Sequence, residues 1–218
     1  MSLSKVVAIG MVICIALGAV SLGACGRPKD PAQDIKLGFH TTEAVGNKKL
    51  LVILADFPDV KREHPASLIK DRTVGFVADY YREASYNKMT FEGEITKQYV
   101  LPNPVEHYKI SPINWEVDKT RVLSLVNDVV NAADSDVKFS NDLYIMISLG
   151  AHKMVYGMDG FCAVPGMLGF QSESPVTTKS GETINKAAVF CETAHVGTYI
   201  HDTLHLVGGS IGDRRLTP

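Results

Sequence analysis

Three short, uninterrupted apolar runs, at residues 50–55, 143–147 and 187–190, constrain the fold of this chain more than any other feature. Each is too short for a helix and too continuously apolar for a strand with one wet face, so each reads as a strand buried on both sides. Between them the apolar period changes. Val74, Val77, Tyr81 and Ala84 recur at three, four and three positions, and Phe76 and Tyr80 widen that stripe, which predicts an amphipathic helix over residues 66–85. Val122, Val126, Val129 and Ala133, broadened by Leu125, predict a second helix from about Trp115 to Ala133. Strands alternating with helices predict an α/β (α+β) layer, a mixed sheet with at least partly parallel pairing.

The remaining segments are read by their breakers. Asp56 and Asp59 flank Phe57 and Pro58, and their residue types fit turn chemistry, with cation binding as the other reading. Residues 89–100 are extended and interrupted by Gly93, which predicts a strand pair or hairpin stopped by Pro102 and Pro104. Residues 151–182 have no clear period and predict a long loop or irregular hairpin on the rim of the site. A last helix is expected over residues 194–207, stopped by Gly208 and Gly209.

With 218 residues, 45% of them hydrophobic, the chain can build one sizeable core, which excludes a disordered chain. A formal charge of -2 provides no basic footprint, so nucleic acid is not an expected partner. Residues 6–24 are uncharged behind Lys5 and end in Leu22-Gly23-Ala24 before Cys25. That pattern is an export signal over 1–24, and its ending resembles a bacterial lipobox, which implies a lipid on Cys25 and attachment to the membrane through it. The other reading of the stretch is an uncleaved transmembrane anchor. Residues 25–49, polar and marked by Pro28 and Pro31, are expected to be a tether, and 50–218 the folded domain. The expected location is the bacterial cell envelope, as a lipoprotein, or the extracellular space. In an oxidising compartment Cys162 and Cys191 would close a loop of about 30 residues, stabilising by roughly 3 to 4 kcal/mol; two buried thiols are the alternative.

The chemistry concentrates on the last helix, in His201-Asp202-Thr203-Leu204-His205. An i, i+4 pair lies about 40° apart on one helix face, where two imidazoles converge on one tetrahedral metal, and the spacing suits zinc. Seven histidines in 218 positions yield about 0.2 such pairs by chance, and about 0.02 once a carboxylate must follow the first, so the motif carries weight. Asp202 stands where the familiar His-Glu-x-x-His arrangement has a glutamate acting as general base. Its carboxylate falls about 1.3 Å short, a misplacement that can cost on the order of a hundredfold in rate. The bland reading is two histidines on a partly exposed helix with an idle aspartate. His195, about 240° round from His201, reads as a helix-start residue. His40, His64 and His107 read as solvated and His152 as loop, and Tyr156 is a weaker candidate for an oxyanion donor.

Beyond these local patterns, three stretches resemble the immune inhibitor A family of secreted bacterial zinc metalloproteases. They are residues 50–59, ending in Asp56-Phe57-Pro58-Asp59, then 76–89, with Tyr80-Tyr81-Arg82-Glu83-Ala84-Ser85, then 93–102. Their order before a zinc-binding helix, here residues 197–208, matches that family over about half of the expected mature chain. The resemblance implies a zincin-like fold and hydrolysis of peptide bonds in a protein or peptide substrate by a zinc-activated water. It implies zinc-ligand roles for His201 and His205 and the base role for Asp202. The family's third ligand is an aspartate three residues after the helix-ending glycine, where this chain has Ile211; Asp213 is the nearby substitute, with a surface turn as its other reading. The chain ends at Pro218, before any second subdomain, which implies a piece of a longer protein. The alternative from another class is a catalytically inactive zincin-like surface lipoprotein that binds a partner or metal, and a purely structural domain comes third.

Overall fold

The computed structural model describes residues 45–110, 118–140, 142–164 and 176–207, and the backbone of 210–211 and 214–215. All of them lie within the unit Phe39–Pro218. The expected signal, lipid site and most of the expected tether fall outside the described residues.

The first apolar run becomes β1 (Gly46–Asp56), buried on both faces from Leu50 to Ala55. It starts four residues earlier than hydropathy suggests, inside the segment read as tether. The added residues Gly46 to Lys49 pair with Met89 to Glu92, so the extension rests on backbone hydrogen bonds that an apolar pattern does not register.

The next helix, α1, is built from an α-helical turn Ala66–Lys70, a π-helical stretch Asp71–Val77 and an α-helical end Ala78–Ala84. Val77 and Tyr81 are buried as the stripe predicts, and Ile69 and Ala78, which lie outside it, are buried with them; Val74 is half-buried and Ala84 exposed, and Phe76 and Tyr80 are 53% and 43% exposed. The i→i+5 winding shifts the phase of the stripe, so an α-helical count assigns these two to the wrong side. A turn with Tyr86 and Asn87 at φ 55° and 60° leads into the next strand.

That strand, β2 (Met89–Val100), is a single element and corrects the expected hairpin. It runs parallel to β1, and Gly93 does not break it. A Cβ at Gly93 would sit 2.9 Å from the Val74 side chain, so glycine is there because α1 packs down on the strand. The register shifts between Val52 and Leu54, where β2 carries an extra residue, and the Thr96 hydroxyl accepts the Leu54 N–H at 3.2 Å.

After the short helix α2 (Val105–Tyr108) comes α3 (Lys119–Ala133). It starts later than Trp115 because Asp118 is the N-cap, its side chain accepting from the Thr120 and Arg121 amides. β3 (Leu143–Leu149) follows as expected. The region read as a rim loop contains more structure: helix α4 (Lys153–Tyr156), strand β4 (Gly160–Val164) and the two-stranded pair β5 (Val176–Thr177) and β6 (Thr183–Ile184). Then come β7 (Ala187–Cys191), helix α5 (Val196–Leu206) and the pair β8 (Ser210–Ile211) and β9 (Arg214–Arg215).

The main sheet has the order β2-β1-β3-β7-β4, parallel throughout except for β4, which pairs antiparallel with β7. This is a mixed α/β fold with a mostly parallel five-stranded sheet. Alternate residues of β1 face opposite cores. Leu51, Ile53 and Ala55 pack with Val122, Leu125, Val126 and Val129 of α3, whereas Leu50, Val52 and Leu54 pack with Ile69, Val77 and Tyr81 of α1 and Tyr199 and Leu206 of α5.

The expected disulfide is absent: Cys162 and Cys191 are both thiols. Cys162 belongs to the core under α1 and α5 and Cys191 to the core under α3, so the sheet itself separates them. No described helix is long and apolar enough to cross a membrane.

Candidate metal centre

Helix α5 emerges from the carboxyl end of β7, and its start is held from several directions. The His195 side chain accepts from the Gly197 amide as N-cap, and Asp159 Oδ2 accepts from the His195 amide at 3.4 Å and the Thr198 hydroxyl at 3.2 Å. Just upstream, the buried carboxylate of Glu192 accepts from the Glu63 and His64 amides, the shortest at 2.8 Å, while Arg72 donates to the Glu192 carbonyl at 2.8 Å. Tyr199 stacks on Phe190 of β7 with ring centroids 4.3 Å apart. The phase of the helix is therefore set before its middle turn begins.

That middle turn carries His201, Asp202 and His205. His201 is exposed, whereas Asp202 and His205 are only 3% and 5% exposed. The two Nε2 atoms lie 3.2 Å apart and the rings meet edge-on, with centroids 4.9 Å apart. A carboxylate oxygen of Asp202 completes a group whose ligand atoms all lie within 4.8 Å of one another. Two nitrogens bound to one tetrahedral zinc at 2.0–2.1 Å are about 3.3 Å apart, so the observed spacing of the imidazoles is that of one edge of such a site. In the absence of an ion, the same spacing is met by one ring nitrogen donating to the other. The donor set, two imidazoles and a carboxylate, is one that zinc accepts. His201 leaves the group open to solvent on one side.

The structure thus brings together three of the residues singled out by the motif. Asp213 lies outside the described residues, as does Cys25. His195 is the helix-start residue expected of it. His152 caps α4 by accepting from the Met154 amide, and His107 lies edge-on to Tyr108. His64 is not simply solvated, because its Nδ1 lies 3.5 Å from the Glu192 carboxylate. His40 lies outside the described residues. Tyr156 is no oxyanion donor at this group: it is buried in the core under α3, on the other face of the sheet, stacked on Phe161. Asp56 and Asp59 are engaged by groups outside their own turn, Asp56 pairing with Arg62 at 2.7 Å and Asp59 accepting from the distant Val105 amide at 2.9 Å.

Sequence reasoning passed over Tyr81, Arg62 and Glu192. Tyr81 sits on the buried face of α1, where its hydroxyl donates to the carbonyl of Ile200, the residue before His201, at 2.6 Å. Burial pushes its pKa far up, with the neighbouring Tyr80 and Asp202 adding to the effect, so the phenol stays protonated. The available signal was a tyrosine on a core stripe, since a buried phenol requires a partner somewhere. Arg62 fills the carboxyl ends of β1 and β3, the place where chain order reverses across the sheet and where open α/β sheets bind ligands. Here that crevice is occupied by the protein's own guanidinium, which leaves the α5 face as the candidate site.

No protein-family model and no curated protein matches this chain.

Proposed function

We propose that this chain is a zincin-like zinc metallopeptidase, with His201 and His205 as metal ligands and Asp202 as general base. The observation that carries this reading is the 3.2 Å approach of the two Nε2 atoms, which suits one tetrahedral metal, with a carboxylate one residue after the first histidine. Zinc, when bound, supplies Lewis acidity and makes water a usable nucleophile at neutral pH. The protein's own contribution is then positional. Asp202, in reach of the same point as the imidazoles, is the group able to take a proton from an attacking water and return it to the leaving amine. The outer edge of β4 carries no strand among the described residues, and an extended peptide can add to such an edge by main-chain hydrogen bonds. The resemblance to the immune inhibitor A family agrees with this reading, and with it go export, a lipid on Cys25 and Asp213 as the candidate third protein ligand.

The second reading, a zincin-like lipoprotein that binds a metal or partner without turnover, draws on the length of Asp202. A carboxylate one methylene shorter than glutamate and only 3% exposed reaches less far toward a substrate.

Elemental analysis of the full chain beside His201→Ala, followed by casein cleavage, tests both. About one zinc per chain that the variant loses, with casein cleaved, is the expected result. Zinc without cleavage, even in Asp202→Glu, favours the second reading, and no zinc in the wild type removes the peptidase and leaves only the partner-binding form of the second. Lipid labelling that survives Cys25→Ser would remove the lipoprotein assignment.

A further inference from the structure

We infer that Tyr81 is a positioning residue for the His201–Asp202–His205 group, acting through the carbonyl of Ile200; this rests on the reading of that group as a metal centre. The Tyr81 hydroxyl donates to Ile200 O at 2.6 Å across 119 residues of sequence. In an α-helix that carbonyl already accepts from the amide four residues on, here that of Leu204. The phenol therefore rescues no orphaned backbone group. Its effect is to tie the peptide leading into His201 to another helix.

The tie is placed where it matters. His201 is exposed, so packing alone does not hold its imidazole in line with that of His205. Side-chain atoms stand about 6 Å from a helix axis, so a 10° roll of α5 moves a ligand atom by about 1 Å. Constellations of this kind tolerate about 0.5 Å. Tyr81 itself is firmly seated: it is 6% exposed and meets Tyr80 and Phe91 edge-on, with centroids 5.5 and 5.6 Å away. Its ring packing does not depend on the hydroxyl, so the two roles separate cleanly in a phenylalanine variant.

The test is cobalt(II) binding, followed by visible absorption, on the full chain. Wild type, Tyr81→Phe and Tyr108→Phe are compared, the last losing a buried hydroxyl that donates to Asp128 at 2.7 Å under α3. Tyr81→Phe is expected to bind cobalt about ten-fold more weakly and to change the band shape, the loss typical of an outer-shell partner. Tyr108→Phe is expected to lower Tm and change neither. Wild-type affinity and band shape in Tyr81→Phe overturn the inference while leaving the metal centre standing. No cobalt uptake by the wild type removes the metal reading itself. If Tyr81→Phe does not fold, tyrosine-ring NMR of the wild type decides: the Tyr81 signals must move when zinc is added, and unmoved signals overturn the inference.

Discussion

The guanidinium of Arg62 holds the Asp56 carboxylate at 2.7 Å while a second nitrogen reaches the carbonyl of Ser148 at 2.8 Å, joining the carboxyl ends of β1 and β3. A third contact runs from the guanidinium to the Ser148 hydroxyl at 3.3 Å. The Arg62 side chain is 4% exposed, so its partners would be left without a donor in a dry place. Arg62→Met should therefore destabilise the domain by about 3–5 kcal/mol, read as a lower urea midpoint at constant m. A loss below about 1 kcal/mol would show that water replaces the guanidinium at no cost.

Two glycines with positive φ separate backbone strain from collision. Gly157 has φ 112° and a Cβ there would lie 1.7 Å from the Ile110 carbonyl oxygen, whereas Gly181 has φ 97° with nothing within 4 Å. Gly181→Ala is expected to cost about 1 kcal/mol from strain alone, and Gly157→Ala at least about 2 kcal/mol more. Thermal unfolding of the pair checks this, and equal Tm values would contradict the packing of Gly157 on Ile110.

Asp202→Asn keeps the size of the side chain and removes its capacity to take a proton. The variant should retain zinc, because His201 and His205 are unchanged, and should lose peptide hydrolysis by at least about a hundredfold. Loss of zinc instead would make Asp202 a ligand rather than a base.

The β5–β6 pair is tied to the end of α3 through Ser180, whose amide donates to Asp134 Oδ2 at 3.0 Å and whose hydroxyl contacts both Asp134 and Glu182. Hydrogen bonds from Ser180 are the leading cause that lowers both carboxyls from their ordinary values of 3.8 and 4.5. Because the folded values are depressed, this contribution to stability is complete above those ordinary values and is lost as pH falls through the lowered ones. Amide exchange at Ser180 should be slow and flat from pH 7 to about pH 5, after correction for intrinsic rates. It should accelerate below about pH 4 in the wild type. Asp134→Asn should remove most of that acid step, and an unchanged step would place the linkage elsewhere.

Much of the architecture was legible because it is local. The strands β1, β3 and β7 announce themselves as apolar runs, α3 as a periodic stripe and α5 by the glycines that stop it, since burial on both faces or on one face leaves its mark on neighbouring residues. The motif placed His201, Asp202 and His205 on adjoining parts of one turn by helix geometry alone, and the structure brings their ligand atoms together. What the residues could not announce depends on partners far away in the chain. β2 looks like half of a hairpin until it pairs parallel with β1, and β4, whose short apolar run from Phe161 to Val164 lies in a stretch otherwise without a period, becomes a strand by pairing antiparallel with the remote β7. Cys162 and Cys191 have the spacing of a bridge, yet the sheet puts them on opposite faces. The Tyr81 bond to Ile200 spans 119 residues, and no period or spacing encodes which carbonyl a buried phenol will find. Periodicity in the chain determined which faces had to be buried; only the closed tertiary structure decided what each face met, because sequence spacing does not specify distance in space between remote segments.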